Sequence, residues 1–177
     1  MVNLPNALTL IRILIIPLFI LLLLSPTPEK EFLAAVIFSI ASLTDWLDGF
    51  IARKSSKVTK LGMILDPIAD KLLIAAALIL LVDMLRIPAW MAVVIIGREL
   101  AVSGLRAVAL SKDIVIPAES GGKYKMVTQI VAVLFLLLGY EIYGISFLTI
   151  GMIALWISMI FGIISGIGYF VSFWRQA

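Results

Sequence analysis

The chain has 177 residues, of which 63% are hydrophobic and 14% are charged, and its mean hydropathy is +1.17. A soluble domain is closer to half apolar, so this composition excludes an ordinary soluble globular protein and predicts an integral membrane protein. Because cysteine and histidine are both absent, disulfides, thiol nucleophiles, histidine bases and histidine metal ligands are excluded as well. Proton transfer therefore falls chiefly to carboxylates, lysines or tyrosines.

The first predicted element is an apolar helix that follows a short polar-apolar turn at residues 3–6. Arg12 lies inside the apolar stretch rather than before it, and Ser-Pro-Thr-Pro follows at 25–28. A cleaved signal peptide has the opposite arrangement, with basic residues first and small residues last. We therefore expect a retained first span whose amino end lies partly in the membrane interface. Arg12 is either a snorkelling side chain or a contact for an anionic headgroup.

Further apolar stretches follow, most of them close to the ~20 residues that a helix needs to cross a bilayer. The polar stretch 111–125 is expected to be a connection, with Gly121 and Gly122 marking a turn. The fold class predicted is all-α: one membrane domain over 1–177, with about six transmembrane helices and a short N-terminal interfacial segment. The predicted spans cover 1–24, 31–53, 62–83, 88–110, 126–139 and 147–173.

Basic residues predict the orientation, because cytoplasmic connections carry the excess of lysine and arginine. Only Lys30 and Arg86 fall on one side of the predicted spans. We therefore expect a multi-pass protein of the cell membrane, with the aspartate-rich segment 45–70 and both termini facing the cytoplasm. The cations on the cytoplasmic side are Lys54, Lys57, Lys60, Lys112, Lys123, Lys125 and Arg175.

Four of the six aspartates lie in one short window around the loop 54–60. Asp45 and Asp48 share one face of the second predicted helix, and Asp66 and Asp70 share one face of the third. Placing four aspartates in lipid would cost on the order of 10–14 kcal/mol, an upper bound, unless something compensates their charge. Divalent cations with oxygen ligands do so better than the alternative, a salt-bridge network with Arg53 and Lys71.

The spacing of these residues forms a long pattern, D-x2-D-G-x2-A-R-x8-G-x3-D-x3-D, which runs from Asp45 to Asp70. It resembles the signature of the CDP-alcohol phosphatidyltransferases at all eight defined positions. The opening segment 4–12 is similar to the way many members begin. Segments 97–106 and 122–125 resemble the branch of the family that makes phosphatidylglycerol phosphate. The resemblance therefore covers most of the chain.

The resemblance implies a site with Mg²⁺ or Mn²⁺, two ions in all, for which aspartates supply the hard oxygen ligands. It assigns Asp45, Asp48, Asp66 and Asp70 to the metal and makes Asp70 the general base as well. The small residues of the motif leave room for a nucleotide, although close helix crossing is an alternative explanation. The residues expected to contact CDP-diacylglycerol are Asn6, Thr9, Arg12, Asp48, Gly49, Ala52, Arg53 and Gly62.

The implied reaction is attack by a glycerol hydroxyl on the diacylglycerol-linked phosphorus of CDP-diacylglycerol, which expels CMP. Glycerol 3-phosphate as acceptor carries its own phosphate and needs fixed cations on the cytoplasmic side. Arg98, Arg106, Lys123 and Lys125 suit that role. The alternatives are a structural pairing of Arg98 with Glu99 and contacts of the lysines with lipid headgroups.

Other functions stay open at this point. Within the family, the acceptor could instead be that of a phosphatidylserine or cardiolipin synthase. A divalent-cation transporter would also use carboxylates, but it should carry polar groups across the membrane's depth; a structural scaffold would leave the aspartates unexplained. Ser158, Gly162 and Gly166 form a small-residue stripe that favours close helix packing or a contact between two copies. We expect a homodimer in contact with membrane lipids and no nucleic-acid partner.

Overall fold

The computed structural model describes residues 4–52, 60–112 and 121–176, and it describes side chains over 13–44, 71–112 and 124–176. These residues form six α-helices and one very short antiparallel hairpin. In chain order the elements are α1 (Leu4–Leu23), α2 (Pro28–Ala52), α3 (Lys60–Asp83), α4 (Ala89–Ser111), α5 (Gly121–Leu138), β1 (Glu141–Ile142), β2 (Ile145–Ser146) and α6 (Phe147–Trp174).

The predicted all-α fold is confirmed, since six helices occur in the expected order. Within the part of the chain that the structure describes, only α6 is both long and apolar enough to cross a membrane, with a mean hydropathy of 2.4. Shorter apolar helical stretches cover Ile13–Leu23 and Tyr124–Leu138. Six membrane crossings therefore remain a prediction.

Helix α2 begins at Pro28, three residues before the predicted start. The hydroxyl of Thr27 accepts a hydrogen bond of 3.4 Å from the backbone N–H of Lys30, and so caps one of the unpaired donors of the first turn. Proline suits the first helical position because it has no N–H to leave unpaired. Glu29 and Glu31 add negative charge to the same turn, where the helix dipole favours it. The turn before α2 is correspondingly shorter than predicted.

Helix α5 begins at Gly121, so the expectation of an irregular connection is wrong over 121–125. Its amino-terminal part packs on α6, where the hydroxyl of Ser158 donates a hydrogen bond of 3.1 Å to the carbonyl of Lys125. The hydroxyl of Thr128 also donates to the carbonyl of Tyr124, at 2.8 Å within the same helix. Tertiary packing thus extends the helix into a polar, glycine-containing sequence whose local preferences favour a turn.

The first compact unit, Met1–Met84, is built from α1, α2 and α3. The rings of Phe19 on α1 and Phe38 on α2 lie 6.1 Å apart, centroid to centroid. Both side chains are fully buried, as are Leu78 and Leu81 of α3. These contacts form the core of the unit, and α2 and α3 continue from it into the two halves of the aspartate motif.

The second compact unit, Leu85–Ala177, is organised around α6, which packs against α4 and α5. The opposite faces of α6 differ in an unusual way. The side chains on its exposed face are large and apolar, as a surface in contact with lipid requires. Its buried face, by contrast, contains several small or polar residues. The exposed residues include Ile153, Trp156, Ile160, Ile164 and Ile167. The buried residues are Gly151, Leu155, Ser158, Met159, Gly162, Ser165, Gly166, Tyr169 and Phe173.

The hairpin between α5 and α6 lies in the connection expected between the predicted spans 126–139 and 147–173. Tyr143 and Gly144 connect its strands with φ angles of 52° and 76°, the left-handed conformation of a tight two-residue turn.

The carboxyl end of α5, which precedes the hairpin, is capped by a side chain. The guanidinium of Arg86 donates hydrogen bonds to the carbonyls of Leu136 and Leu137 at 2.7 and 2.6 Å. Arg86 thereby satisfies carbonyl groups that the end of α5 leaves unpaired.

Candidate active site

The aspartate motif lies on two consecutive helices, as the sequence predicts. Asp45 and Asp48 belong to the last turns of α2, which ends at Ala52, and Asp66 and Asp70 belong to the first turns of α3. The helices are joined by the seven residues 53–59, a connection that can span at most about 25 Å when fully extended. The two halves of the motif are therefore close in the chain, at the facing ends of consecutive helices in sequence order.

The side chains assigned to the metal, to proton transfer and to CDP-diacylglycerol lie outside the described residues. Their roles accordingly stay predictions. Among the described side chains, no cluster of three or more acidic residues could hold a metal ion. The chemistry of the motif nevertheless fits Mg²⁺ or Mn²⁺, because its carboxylates are hard oxygen donors. The assigned residues are Asn6, Thr9, Arg12, Asp45, Asp48, Gly49, Ala52, Arg53, Gly62, Asp66 and Asp70.

Two of the predicted acceptor-binding cations meet in the second unit, at a single carboxylate oxygen. Oε1 of Glu99 lies 2.8 Å from Nη1 of Arg98 and 2.5 Å from Nζ of Lys125. The side chains of Arg98, Glu99 and Lys125 are 14%, 16% and 12% exposed. A cation pair of this kind is costly to bury unless a counter-charge accompanies it. Glu99 supplies that charge and leaves the three groups with a net charge of about +1 at neutral pH.

Helix α6 holds the guanidinium of Arg98 from the other side. Nε donates a hydrogen bond of 2.7 Å to the carbonyl of Gly162, and Nη2 donates one to the hydroxyl of Ser165. A β-carbon on Gly166 would lie 3.3 Å from the same Nε. The small-residue stripe thus leaves room for the side chain of Arg98. Close helix packing within the chain therefore explains why these residues are small.

Arg98 keeps donors for a further partner. A guanidinium has five N–H groups, and the contacts with Gly162, Glu99 and Ser165 use one on each nitrogen. Among the described residues, the second N–H groups of Nη1 and Nη2 have no acceptor. Arg98 is also one of the residues that line a small cleft between α4, α5 and α6. Its lining residues are Val94, Ile95, Arg98, Glu99, Lys125, Ser158, Met159, Gly162 and Ile163.

Of the other two predicted acceptor-binding residues, the structure describes the side chain of Arg106 only. Arg106 lies eight residues beyond Arg98 on α4, roughly 12 Å along the helix axis. Its side chain is exposed, and its guanidinium carbon lies 5.8 Å from the ring centroid of Tyr169. The side chain of Lys123 falls outside the described residues. Arg98 and Lys125 are therefore brought together, and Arg106 is not in their cluster.

Two contacts at this site were not predicted from the sequence: the hydrogen bond from Arg98 to Ser165 and the ion pair between Glu99 and Lys125. Ser165 lies seven residues after Ser158, on the same face of α6, so its position was available as a signal. No sequence signal paired Glu99 with Lys125, because that contact depends on how α4 and α5 are rotated against each other. The burial of Gln129 was not predicted either. Its side chain is 2% exposed, and its Nε2 has no hydrogen-bond partner among the described residues.

Comparison with known proteins places this arrangement in context. The model of the CDP-alcohol phosphatidyltransferase family matches residues 2–164. The chain is similar to the CDP-diacylglycerol–glycerol-3-phosphate 3-phosphatidyltransferase of Bacillus subtilis (strain 168), with 44% identity over 99% of this chain and 97% of the relative. Proteins of the same name from Rickettsia typhi and Wigglesworthia glossinidia brevipalpis are 41% and 36% identical. Those matches cover 96% and 98% of this chain, and 96% of each relative.

The family match includes the whole aspartate motif as well as Arg98, Arg106 and Lys125. The match to the Bacillus relative extends over nearly the full length of both chains. The resemblance inferred from the motif is therefore confirmed: the chain belongs to the CDP-alcohol phosphatidyltransferase family.

Proposed function

We propose that the chain transfers the phosphatidyl group of CDP-diacylglycerol to glycerol 3-phosphate, giving phosphatidylglycerol phosphate and CMP. The names of the relatives support both substrates, since they match over almost the whole chain. The structural observation that carries the choice of acceptor is the held pair of cations, Arg98 and Lys125, which flanks a cleft. An acceptor with its own phosphate needs such a pair, whereas an uncharged polyol does not.

The acceptor's phosphate would be bound by cations from α4 and α5. The two N–H groups of Arg98 that remain available are charge-assisted donors, which phosphate oxygens accept. Lys125 adds a second positive charge at the same place. Arg106 and Lys123 complete the proposed set, with Arg106 further along α4.

The aspartates would supply the chemistry. Asp45, Asp48, Asp66 and Asp70 would hold the metal ions, Mg²⁺ or Mn²⁺, which neutralise the diphosphate and make its phosphorus more electrophilic when they are bound. Asp70 accepts the proton of the glycerol hydroxyl. The hydroxyl oxygen forms a bond with the diacylglycerol-linked phosphorus, and the bond from that phosphorus to the CMP oxygen breaks. Nucleotide and headgroup contacts come from Asn6, Thr9, Arg12, Gly49, Ala52, Arg53 and Gly62.

The proposed setting is the cell membrane, crossed six times, with the aspartate motif and both termini on the cytoplasmic side. The apolar exposed face of α6 supports lipid contact. The distribution of lysine and arginine supports the orientation. We also propose a homodimer, although the small-residue stripe of α6 is occupied by Arg98 within the chain.

A reconstituted assay tests this function. Purified protein in detergent micelles receives CDP-diacylglycerol and radiolabelled glycerol 3-phosphate, and both CMP and labelled lipid are measured. We expect the two products in equal amounts, no turnover in excess EDTA, and recovery with Mg²⁺ or Mn²⁺ but not with the larger Ca²⁺. Turnover with serine or phosphatidylglycerol in place of glycerol 3-phosphate would instead support a phosphatidylserine or cardiolipin synthase. Metal uptake into vesicles without turnover would support a transporter.

A further inference from the structure

Glu99 is the residue through which α4 and α5 share one charge cluster. Its Oε1 contacts the guanidinium of Arg98 and the ammonium of Lys125 at the same time. The two cations therefore lie well within the Debye length of roughly 8 Å that limits their repulsion in physiological salt. All three side chains are largely buried, so solvent screens the repulsion even less.

Removing the carboxylate would let the cations move apart. Lys125 carries its charge on a flexible four-carbon stem, and such a side chain loses conformational freedom when it is held in one place. Arg98 has further contacts with Gly162 and Ser165 of α6. Glu99 therefore ties the ammonium of Lys125 to a guanidinium that α6 already fixes.

We propose that Glu99 is a positioning residue for the phosphorylated acceptor: it holds Arg98 and Lys125 at one spacing beside the cleft that both residues line. This inference rests on the proposed function, since it names what orders the acceptor site. A preorganised site binds more tightly because less ordering remains to be done on binding. Glu99 also carries a charge of the same sign as the acceptor, but two cations neutralise it locally, so loss of order outweighs loss of repulsion.

Steady-state kinetics with Glu99→Gln test the inference. At saturating CDP-diacylglycerol, we expect the KM for glycerol 3-phosphate to rise about tenfold, as when a charge-assisted contact is lost. We expect kcat to change less than about twofold and the KM for CDP-diacylglycerol to stay constant, because the aspartate motif is untouched. Glu141→Gln is the matched control: it makes the same change at an exposed hairpin residue and should behave as the wild type.

Ser165→Ala separates position from charge. It removes one contact of Arg98 and leaves every charge in place, so we expect the KM for glycerol 3-phosphate to rise about two- to fivefold. Coupling gives a second check. In a Lys125→Met background the ion pair between Glu99 and Lys125 is already absent. Glu99→Gln should therefore raise the KM for glycerol 3-phosphate by a smaller factor there than in the wild type.

An unchanged or lowered KM for glycerol 3-phosphate in Glu99→Gln overturns the inference, and so does a loss confined to kcat. If Glu99→Gln does not fold, as judged by thermal unfolding in detergent, Ser165→Ala decides alone, and a wild-type KM there overturns the inference. Failure of the proposed function is recognised separately, because wild-type protein would then release no CMP in response to glycerol 3-phosphate.

Discussion

A β-carbon on Gly151 would lie 2.7 Å from Cγ of Leu136 and 2.9 Å from its backbone nitrogen. Helices α5 and α6 therefore touch backbone to backbone at this point, where Leu136 is fully buried. A neighbouring side chain could rotate away from an added methyl group, but a backbone nitrogen in a helix cannot. The contact fixes how closely α6 approaches α5, and thereby where Ser158 and Gly162 lie relative to Lys125.

Gly151→Ala should destabilise the protein by about 1–3 kcal/mol, because overpacking forces the two helices apart. Gly104→Ala is the matched control. Among the residues that the structure describes, nothing lies within 4 Å of a β-carbon at Gly104, and alanine in a helix is better than glycine by roughly 0.5–1 kcal/mol. Thermal unfolding of both variants in the same detergent would measure the difference. Equal melting temperatures would contradict the close contact.

The sequence predicted the helices well because each is an apolar stretch long enough to be recognised without neighbours. The aspartate motif was also predictable, since its residues are close in the chain. The start of α5 was not, because packing against Ser158 extends a helix into sequence with weak helical preference. The bridge from Glu99 to Lys125 depends on the rotation of two helices joined by a polar connection, which no local pattern determines.

Asp70→Asn should reduce turnover by a factor of about 10²–10⁴, the usual contribution of a positioned base. Asparagine is nearly the same size as aspartate but cannot accept the hydroxyl proton. We expect CDP-diacylglycerol still to bind, as measured by displacement of a labelled nucleotide. Asp83→Asn is the control, since Asp83 is exposed at the end of the same helix. Near-normal turnover of Asp70→Asn would place the general base elsewhere.

Arg106→Ala should raise the KM for glycerol 3-phosphate roughly ten- to a hundredfold, the effect of losing a charge-assisted bond to phosphate. The KM for CDP-diacylglycerol should change little. Lys112→Ala is a demanding control, because the two cations have similar surroundings. The ammonium of Lys112, just after α4, lies 5.8 Å from the ring centroid of Phe173, and the guanidinium carbon of Arg106 lies 5.8 Å from that of Tyr169. A similar rise in both variants would mean that general surface charge, rather than a phosphate contact at Arg106, governs acceptor binding.

Cysteine labelling should place the loop 53–59 and the hairpin on opposite sides of the membrane. The chain has no cysteine of its own, so Ser56→Cys and Tyr143→Cys each introduce a single thiol. Tyr143 is 97% exposed in the hairpin, which makes it accessible and tolerant of substitution. In right-side-out vesicles, an impermeant maleimide should label Tyr143→Cys only, because basic connections remain in the cytoplasm. In inside-out vesicles it should label Ser56→Cys only. Labelling of Ser56→Cys from the outer face would reverse the orientation and remove the aspartate motif from the cytoplasmic pool of glycerol 3-phosphate.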